Sequence, residues 1–443
     1  MKYQFKLTLT ARQLYSLLVL FIFFNILFLT GSAIESIYGG NDGALSFVLK
    51  QFSLAHENVI ASWYSSMFLL LVAIISFLCF LLDYQNQSNR TDSILKYGWT
   101  FISIIFLTLS FDEMGSIHEK FFHLEELKTL NFNDPIYYPV YFLILVGAVY
   151  MTTFCWIKFK KSLLSLLFVF IGVLFFLSIP IQETFEGEAR NNLSIQGWKR
   201  PVTSLLIEEG AEVFGTLCFL IAATLYAVYA SKKNQQISNY AICLQITEKF
   251  NKVAIWLGVL IISLGISMFL LYLSLDHLPK GDVGVPQNWF PCVLTFIIAI
   301  CSIYTVTNSK ISQKGIARSC IILIGLSLFA SMYIGSYMYD SIRLSKGVLF
   351  GISIHRMVMI IVLLIGLMLI GHTKNNKERF LVLGWAFILS ITLFVKGTLF
   401  PYLTFISFSL FLYYMFYQVA GYRASFQRNV NNEYRNVISS HSR

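Results

Sequence analysis

Apolar residues occur along this chain in long continuous runs separated by short polar segments. A helix needs about 20 apolar residues to cross the roughly 30 Å hydrocarbon layer of a membrane, and these runs reach that length. The runs are continuous rather than alternating with period two, which excludes a transmembrane β-barrel. The pattern therefore predicts an all-α fold, a polytopic bundle of about twelve transmembrane helices.

Basic residues mark one side of the predicted bundle. The predicted spans are approximately 13–33, 60–82, 95–113, 139–157, 162–182, 204–230, 252–275, 288–307, 317–339, 350–371, 379–397 and 400–420. Lysine and arginine gather before the first span and in every second connection, whereas the opposite loops are acidic or mixed. The positive-inside rule then predicts a multi-pass membrane protein with both termini in the cytoplasm.

Composition agrees with a membrane protein and narrows the possible partners. The chain of 443 residues is 56% hydrophobic and only 13% charged, more apolar than one water-soluble core can bury. The formal net charge of +10 comes from loop residues, so we expect no nucleic-acid partner. The seven cysteines are scattered without a CxxC pair, so neither a disulfide framework nor a thiolate metal site is indicated.

The predicted helices divide into two sets of six that look like a diverged internal repeat. Trp63 and Trp289 stand in register near the start of the second helix of each set, and Gly-Ser ends the third helix of each set. An even number of helices per repeat gives both halves the same orientation, so they are parallel. We predict a first half over 1–235, a second half over 236–420 and a polar cytoplasmic tail over 421–443.

Ionisable side chains gather where consecutive helices of the first half reach the outer face. The acidic and histidine residues of these segments are His56, Glu57, Asp112, Glu113, His118, Glu119, Glu183, Glu186, Glu208, Glu209 and Glu212. Asp112 and Glu119 fall on one face of the third predicted helix. On the sixth, Glu208 or Glu209 shares a face with Glu212. Two helices can therefore aim stacked carboxylates at each other.

Depth makes some of these acids unusual. A rise of about 1.5 Å per residue puts Asp112 and Glu212 some 24–25 Å above the cytoplasmic boundary, inside the outer part of the hydrocarbon layer. An ionised carboxylate there must be paired, protonated, metal-bound or hydrated. The nearby bases, His56, His118 and Arg190, are too few to neutralise the acids, so we expect a divalent metal of unknown identity.

Simpler interpretations stand beside the metal site. Acids at the ends of membrane helices are commonly interfacial residues that only face water, an interpretation that suits Glu125, Glu126, Glu186 and Glu188. His56 and His118 fit an interfacial role as well, and Trp63 and Trp198 fit membrane anchors. The second half lacks the cluster, since Met332 and Tyr333 stand where the first half has Asp112 and Glu113.

Three motifs of the first half resemble a group of uncharacterised bacterial multi-pass membrane proteins. They are His56-Glu57-Asn58 with Trp63-Tyr64-Ser65-Ser66, then Ser110-x-Asp112-Glu113-x4-His118-Glu119, then Glu208-Glu209-x2-Glu212. The chain is also faintly similar to the membrane hydrolase superfamily that includes the alkaline ceramidases, which implies zinc held near Ser, Asp and His. The chain departs from that pattern because no His-x-x-x-His occurs on a late helix.

The favoured hypothesis is a metal-dependent hydrolase or transferase that acts on a lipid or lipid-linked substrate at the outer leaflet. The expected catalytic residues are Asp112, Glu113, His118, Glu209 and Glu212. The expected metal ligands are the same five with Glu119, Glu208, Glu57 and Glu183. A proton- or cation-coupled transporter is the alternative, because two sets of six helices with the same orientation suit alternating access. A scaffold or sensor subunit of a membrane complex is the third hypothesis; the sequence names no protein partner.

Overall fold

A computed structural model describes the first half of the chain and short pieces of the second. The described residues are 3–8, 11–38, 44–56, 59–85, 97–115, 138–160, 162–193, 201–235, 241–246, 292–293, 296–297, 299–300, 325, 328, 332, 348–349 and 352–353. The chain divides into two compact units, Met1–Pro286 and Gln287–Arg443.

The first unit contains seven described helices. They are α1 (Ala11–Tyr38), α2 (Ala44–Gln51), α3 (Ile60–Gln85), α4 (Tyr97–Gly115), α5 (Tyr138–Phe159), α6 (Leu163–Leu193) and α7 (Val202–Gln235). All except the short α2 coincide with the six segments predicted to be helical in the first half, so their helical structure is confirmed. The predicted spans from 252 onward lie almost entirely outside the described residues.

Helix α3 is the centre of the first unit. It packs closely against α4 and α7, while α6 packs along α7. Ring contacts such as that between Phe21 and Phe68 join it to α1. Phe68, Val72 and Leu82 of α3 are among the most deeply buried side chains. Because lipid tails are as apolar as leucine, close packing and interhelical hydrogen bonds, rather than removal from water, hold such helices together.

Hydroxyl groups fasten α3 to α4. Ser66 donates from Oγ to the carbonyl oxygen of Ser110 at 2.6 Å, and Ser103 donates to the carbonyl oxygen of Ala73 at 2.9 Å. Small side chains at these levels let the two backbones approach closely. The α3–α4 pair is therefore fixed in register along most of its length.

Two short antiparallel strand pairs accompany the helices and were not part of the all-α prediction. Strand β1 (Tyr3–Thr8) precedes α1 and pairs with β2 (Ala241–Ile246), which follows α7. Strands β3 (Val348–Leu349) and β4 (Ile352–Ser353) form a small pair in the second unit.

Three helices within the described part of the chain are long and apolar enough to cross a membrane. They are Tyr15–Tyr38, Ile60–Asp83 and Val202–Ser231. The apolar part of α6, Leu163–Ile179, is shorter and ends just before Pro180. These helices are those of an integral membrane protein.

Candidate functional site

The antiparallel helices define two ends of the first unit. The outer end carries the end of α4 and the start of α7, and it is the end predicted to face away from the cytoplasm. The inner end carries the start of α4 and the ends of α3, α5 and α7. The two ends hold different polar groups.

Aromatic rings set the register between α4 and α7. The rings of Trp99 and Tyr226 lie 4.8 Å apart, and those of Phe106 and Phe219 lie 5.2 Å apart. Trp99 and Phe106 are seven residues apart on α4, and Tyr226 and Phe219 are seven apart on α7. Since seven residues are about two helical turns, both pairs occupy the same facing sides of the two helices.

The same register brings two acids to one level. Seven residues beyond Phe106 is Glu113, and seven residues before Phe219 is Glu212. Both side chains are half-buried, and both take part in hydrogen-bonding or electrostatic interactions. The space between α4 and α7, filled by aromatic rings at two levels, therefore ends at the outer level in two glutamates.

The aromatic layers close this space from below. Phe176 of α6 joins the upper layer, with its ring 6.3 Å from that of Phe106 and 5.7 Å from that of Phe219. Phe154 and Phe159 of α5 join the lower layer around Trp99, at 5.2 Å and 5.3 Å. Trp99 is only 1% exposed. The two glutamates therefore have an apolar floor and lie nearer to the outer end.

The remaining predicted acids of α7 lie on other sides of the helix. Glu208 is seven residues before Gly215, a position that meets Phe175 and Phe176 of α6. Glu209 is four residues before Val213, which is buried. Glu208 and Glu209 are half-buried and make interactions of their own. Helix α7 thus spreads its three acids over neighbouring sides rather than aiming all of them at α4.

By helical register, Asp112 lies on the side of α4 next to that of Glu113. It follows Ile105 by seven residues and Gly98 by fourteen, and Gly98 meets Phe154 of α5. The structure therefore brings Glu113 and Glu212 into one register and puts Asp112 on the α5-facing side. The sequence had grouped Asp112 with the acids that face the sixth span.

Several predicted site residues lie outside the described residues. They are Glu57, His118 and Glu119. Glu183 is a residue of α6. The contact between Gly215 and Phe176 fixes the register of α6 and α7, and that register puts position 183 level with Glu208. Within the part of the chain that the structure describes, no three acidic, histidine or cysteine side chains are grouped closely enough to hold a metal.

A turn folds over the outer part of α1. Phe52 packs on Gly31, the backbone N–H of Leu54 donates to Ser32 Oγ at 2.8 Å, and His56 Nε2 lies 3.1 Å from Glu35 Oε1. These three contacts follow one another along α1. Residue His56, which the sequence placed among the candidate groups, is therefore tied to Glu35 of the first helix.

A buried polar contact also links α1, α3 and α7 beneath that turn. Tyr64 donates its hydroxyl proton to Asn25 Oδ1 at 2.7 Å, and Asn25 donates from Nδ2 to the carbonyl oxygen of Val213 at 3.3 Å. Asn25 is fully buried. An amide at this depth needs such partners because hydrocarbon offers none.

The inner end holds a charged network that the sequence analysis missed. Asp83 of α3 forms an ion pair with Lys158 of α5 at 2.8 Å. Its carboxylate also accepts hydrogen bonds from Trp99 Nε1 at 3.0 Å and from the Tyr226 hydroxyl at 2.8 Å. The Asp83 and Lys158 side chains are only 8% and 9% exposed. Four helices therefore meet at one neutralised carboxylate.

Comparison with known proteins covers the helices just described. Residues 17–228 match a family model described as a domain of unknown function, DUF8692. The match runs from α1 into α7 and so includes both polar ends of the bundle. No curated protein and no solved structure matches the chain.

Proposed function

We propose that this integral membrane protein is a divalent-cation-dependent enzyme that acts on a lipid or lipid-linked substrate at the outer leaflet. The observation that carries the proposal is the common register of Glu113 and Glu212 above two layers of aromatic rings. Both glutamates are half-buried at the outer level, where a divalent cation would add to the interactions that each already makes.

A cation bound at this level would be held by the oxygen atoms of both glutamates. Two carboxylates at one level disfavour each other's ionised form, and an apolar floor removes the water that would otherwise stabilise them. Oxygen ligands suit Mg²⁺, Ca²⁺ or Mn²⁺, and a histidine ligand would extend the choice to zinc or iron. His118 and Glu119 follow the end of α4 by three and four residues and are the proposed further ligands.

Enzyme chemistry suits a site that opens toward one side only. A bound cation would polarise a carbonyl or phosphoryl oxygen and lower the pKa of a bound water. Glu209 and Asp112, on neighbouring sides of the same two helices, are the proposed acid/base groups. The reaction would be hydrolysis or transfer to a lipid hydroxyl, where the leaving group takes a proton from one of these acids.

The alternative of a transporter is less well supported by this geometry. Alternating access requires a path that opens toward both ends, and such a path between α4 and α7 would have to displace two layers of packed rings. The aromatic layers therefore favour a site reached from the outer end. A path lined by the second half would lie outside the described residues.

Metal content of the purified protein tests the proposal. We expect the Glu113→Gln/Glu212→Gln variant to lose bound divalent cation, because amides keep the shape of both side chains and remove the charge. Glu35→Gln is the matched control, since Glu35 is an outer-end acid that pairs with His56 on α1. Equal metal in the wild type, the double variant and the control would overturn the cation site.

Activity separates the enzyme from the transporter. Vesicles that contain the protein, a lipid extract and the restored cation should show cation-dependent turnover of one lipid class, which the double variant lacks. Cation flux across the vesicle membrane without lipid turnover would instead establish the transporter.

A further inference from the structure

The strand pair β1–β2 has one face made only of aromatic and aliphatic residues. In an antiparallel pair, successive residues alternate between the two faces, and residues directly opposite each other share a face. The residue pairs of this apolar face are Tyr3 with Ile246, Phe5 with Leu244 and Leu7 with Ile242. The residue pairs of the other face are Gln4 with Gln245, Lys6 with Cys243 and Thr8 with Ala241. The strand pair is therefore amphipathic.

The strand pair begins at the inner end of the bundle. Two residues separate β1 from α1, and β2 contacts α7 and α3. The hydrogen bond from Tyr64 to Asn25 fixes the register of α3 with α1, and the bond from Ser66 to Ser110 fixes the register of α3 with α4. Counted along the helices, these two registers put the start of α1 about level with the start of α4.

Exposed aromatic residues mark this level as an edge of the hydrocarbon layer. Tyr97 at the start of α4 is 56% exposed, and Trp156 near the end of α5 is 61% exposed. Tyrosine and tryptophan are enriched where membrane helices pass the lipid headgroups. The strand pair therefore starts at headgroup level, and its length of about 20 Å lets it lie along the membrane surface.

Basic residues flank both strands, whereas acids are almost absent from the same stretches. Residues 1–34 contain no acid, and residues 213–252 contain only Glu248. The positive-inside rule accounts for the presence of cations at this end. The pairing of β1 with β2 adds that the two basic stretches come together beside one apolar face. The basic residues of the two stretches are Lys2, Lys6, Arg12, Lys232, Lys233, Lys249 and Lys252.

We propose that the strand pair β1–β2 lies in the headgroup region of the inner leaflet and binds anionic phospholipid there. Its apolar face rests on the acyl chains, and the flanking cations neutralise the phosphate groups. An apolar face beside clustered cations is the combination by which amphipathic segments bind an anionic membrane surface. This surface lies at the end of the bundle opposite Glu113 and Glu212, so lipid binding here goes beyond the proposed function and does not depend on the divalent cation.

A photoreactive residue placed on either face of the strand pair tests the proposal. In the full-length protein, p-benzoylphenylalanine replaces Phe5 or Leu244 on the apolar face, or Gln4 or Gln245 on the other face. Each variant is reconstituted in vesicles of phosphatidylglycerol and phosphatidylcholine in equal amounts, and lipid adducts are counted by mass spectrometry after illumination. We expect the apolar face to give at least about fivefold more lipid adducts than the other face, a difference that corresponds to ~1 kcal/mol.

Salt separates the contribution of the cations from that of the apolar face. At low salt, phosphatidylglycerol adducts at Phe5 and Leu244 should outnumber phosphatidylcholine adducts at least about threefold. About 1 M sodium chloride shortens the screening length to about 3 Å, so the two lipids should then be labelled equally while the difference between the faces persists. Because the protein is already inserted, salt cannot act through membrane topology. Leu174 of α6, an apolar residue that is 52% exposed, is the control position and should label both lipids equally at either salt concentration.

Three outcomes would overturn the proposal. The first is equal lipid labelling from both faces. The second is labelling from Phe5 and Leu244 that goes mainly to the protein itself, because the apolar face is then covered by the chain. The third is a ratio of the two lipids at low salt that is no higher than at the control position on α6.

Discussion

At the scale of single residues, Asp83 shows how a buried carboxylate is held in this bundle. Its carboxylate receives Lys158, Trp99 and Tyr226 from three other helices. A buried ion pair is not necessarily stabilising compared with an apolar pair, but removal of one partner leaves an uncompensated buried charge. The network therefore favours one arrangement of these four helices.

Removal of one partner of the ion pair should therefore reduce stability more than removal of both. We expect Asp83→Leu to destabilise the protein by about 3–5 kcal/mol, because Lys158 is left buried without its partner. The double variant Asp83→Leu/Lys158→Met should recover a large part of this loss. Unfolding free energies in lipid–detergent micelles measure both effects. Lys160→Met, at an exposed position two residues after Lys158, is the control. An Asp83→Leu variant that loses no more stability than this control would contradict the role of the pair.

The Asp83 network shows what a sequence alone does not provide. Asp83 directly follows the predicted span 60–82, where an acid suggests a boundary, and Lys158 belongs to a loop that satisfies the positive-inside rule. Each residue has an adequate local explanation. Their pairing joins positions 75 residues apart and depends on how helices pack, which periodicity does not reveal.

At the scale of elements, two glycines have opposite environments. A Cβ atom at Gly31 of α1 would meet the backbone oxygen and Cβ of Phe52, whereas one at Gly210 of α7 would find its nearest neighbour, Leu29 Cδ1, at 3.8 Å. The first position allows the turn after α2 to rest on α1. The second position has space for a methyl group beside α7.

Alanine at these two positions should therefore change stability in opposite directions. We expect Gly31→Ala to cost about 1–3 kcal/mol because a backbone carbonyl must move. Gly210→Ala should gain about 0.5–1 kcal/mol from helix propensity. Thermal unfolding of the two variants beside the wild type measures the difference, and a loss of stability in both would show that the α7 position is tighter than this packing indicates.

The helices themselves could be predicted, but their rotation about their own axes could not. Apolar runs predicted six helices of the first half to within a few residues, apart from the polar extension of α6 beyond Pro180 and the short α2. The sequence predicted that Asp112 faces the sixth span, and the register of the aromatic contacts indicates the adjacent Glu113 for the position opposite Glu212. Bulky rings set that rotation, since they fill the space between α4 and α7.

At the scale of the whole molecule, the strand pair β1–β2 closes the first unit. Strand β1 lies before α1, and β2 follows α7, so the two ends of the helical segment meet at one end of the bundle. The predicted six spans between these two segments would put both strands on one side of the membrane. The twelve-helix count, the two halves and the orientation of the termini stay predictions.

A native cysteine makes the strand pairing testable. Lys6 of β1 lies opposite Cys243 of β2, so we expect Lys6→Cys to form a disulfide with Cys243 under mild oxidation. Phe5→Cys should crosslink poorly, because successive side chains of a strand point to opposite faces. A mobility shift on non-reducing electrophoresis, removed by Cys243→Ser, reports the bond. Equal crosslinking at positions 5 and 6 would contradict the register.

The pairing of β1 with β2 also sets an order of events during synthesis. The amino-terminal strand leaves the ribosome first, yet its partner is complete only at residue 246, after six long helices have been made. At about 5–20 residues per second, β1 must wait roughly 10–50 s for that partner. Throughout this interval the amino terminus must stay on the side of the membrane that β2 will reach, so the strand pair forms only after all six long helices have been made.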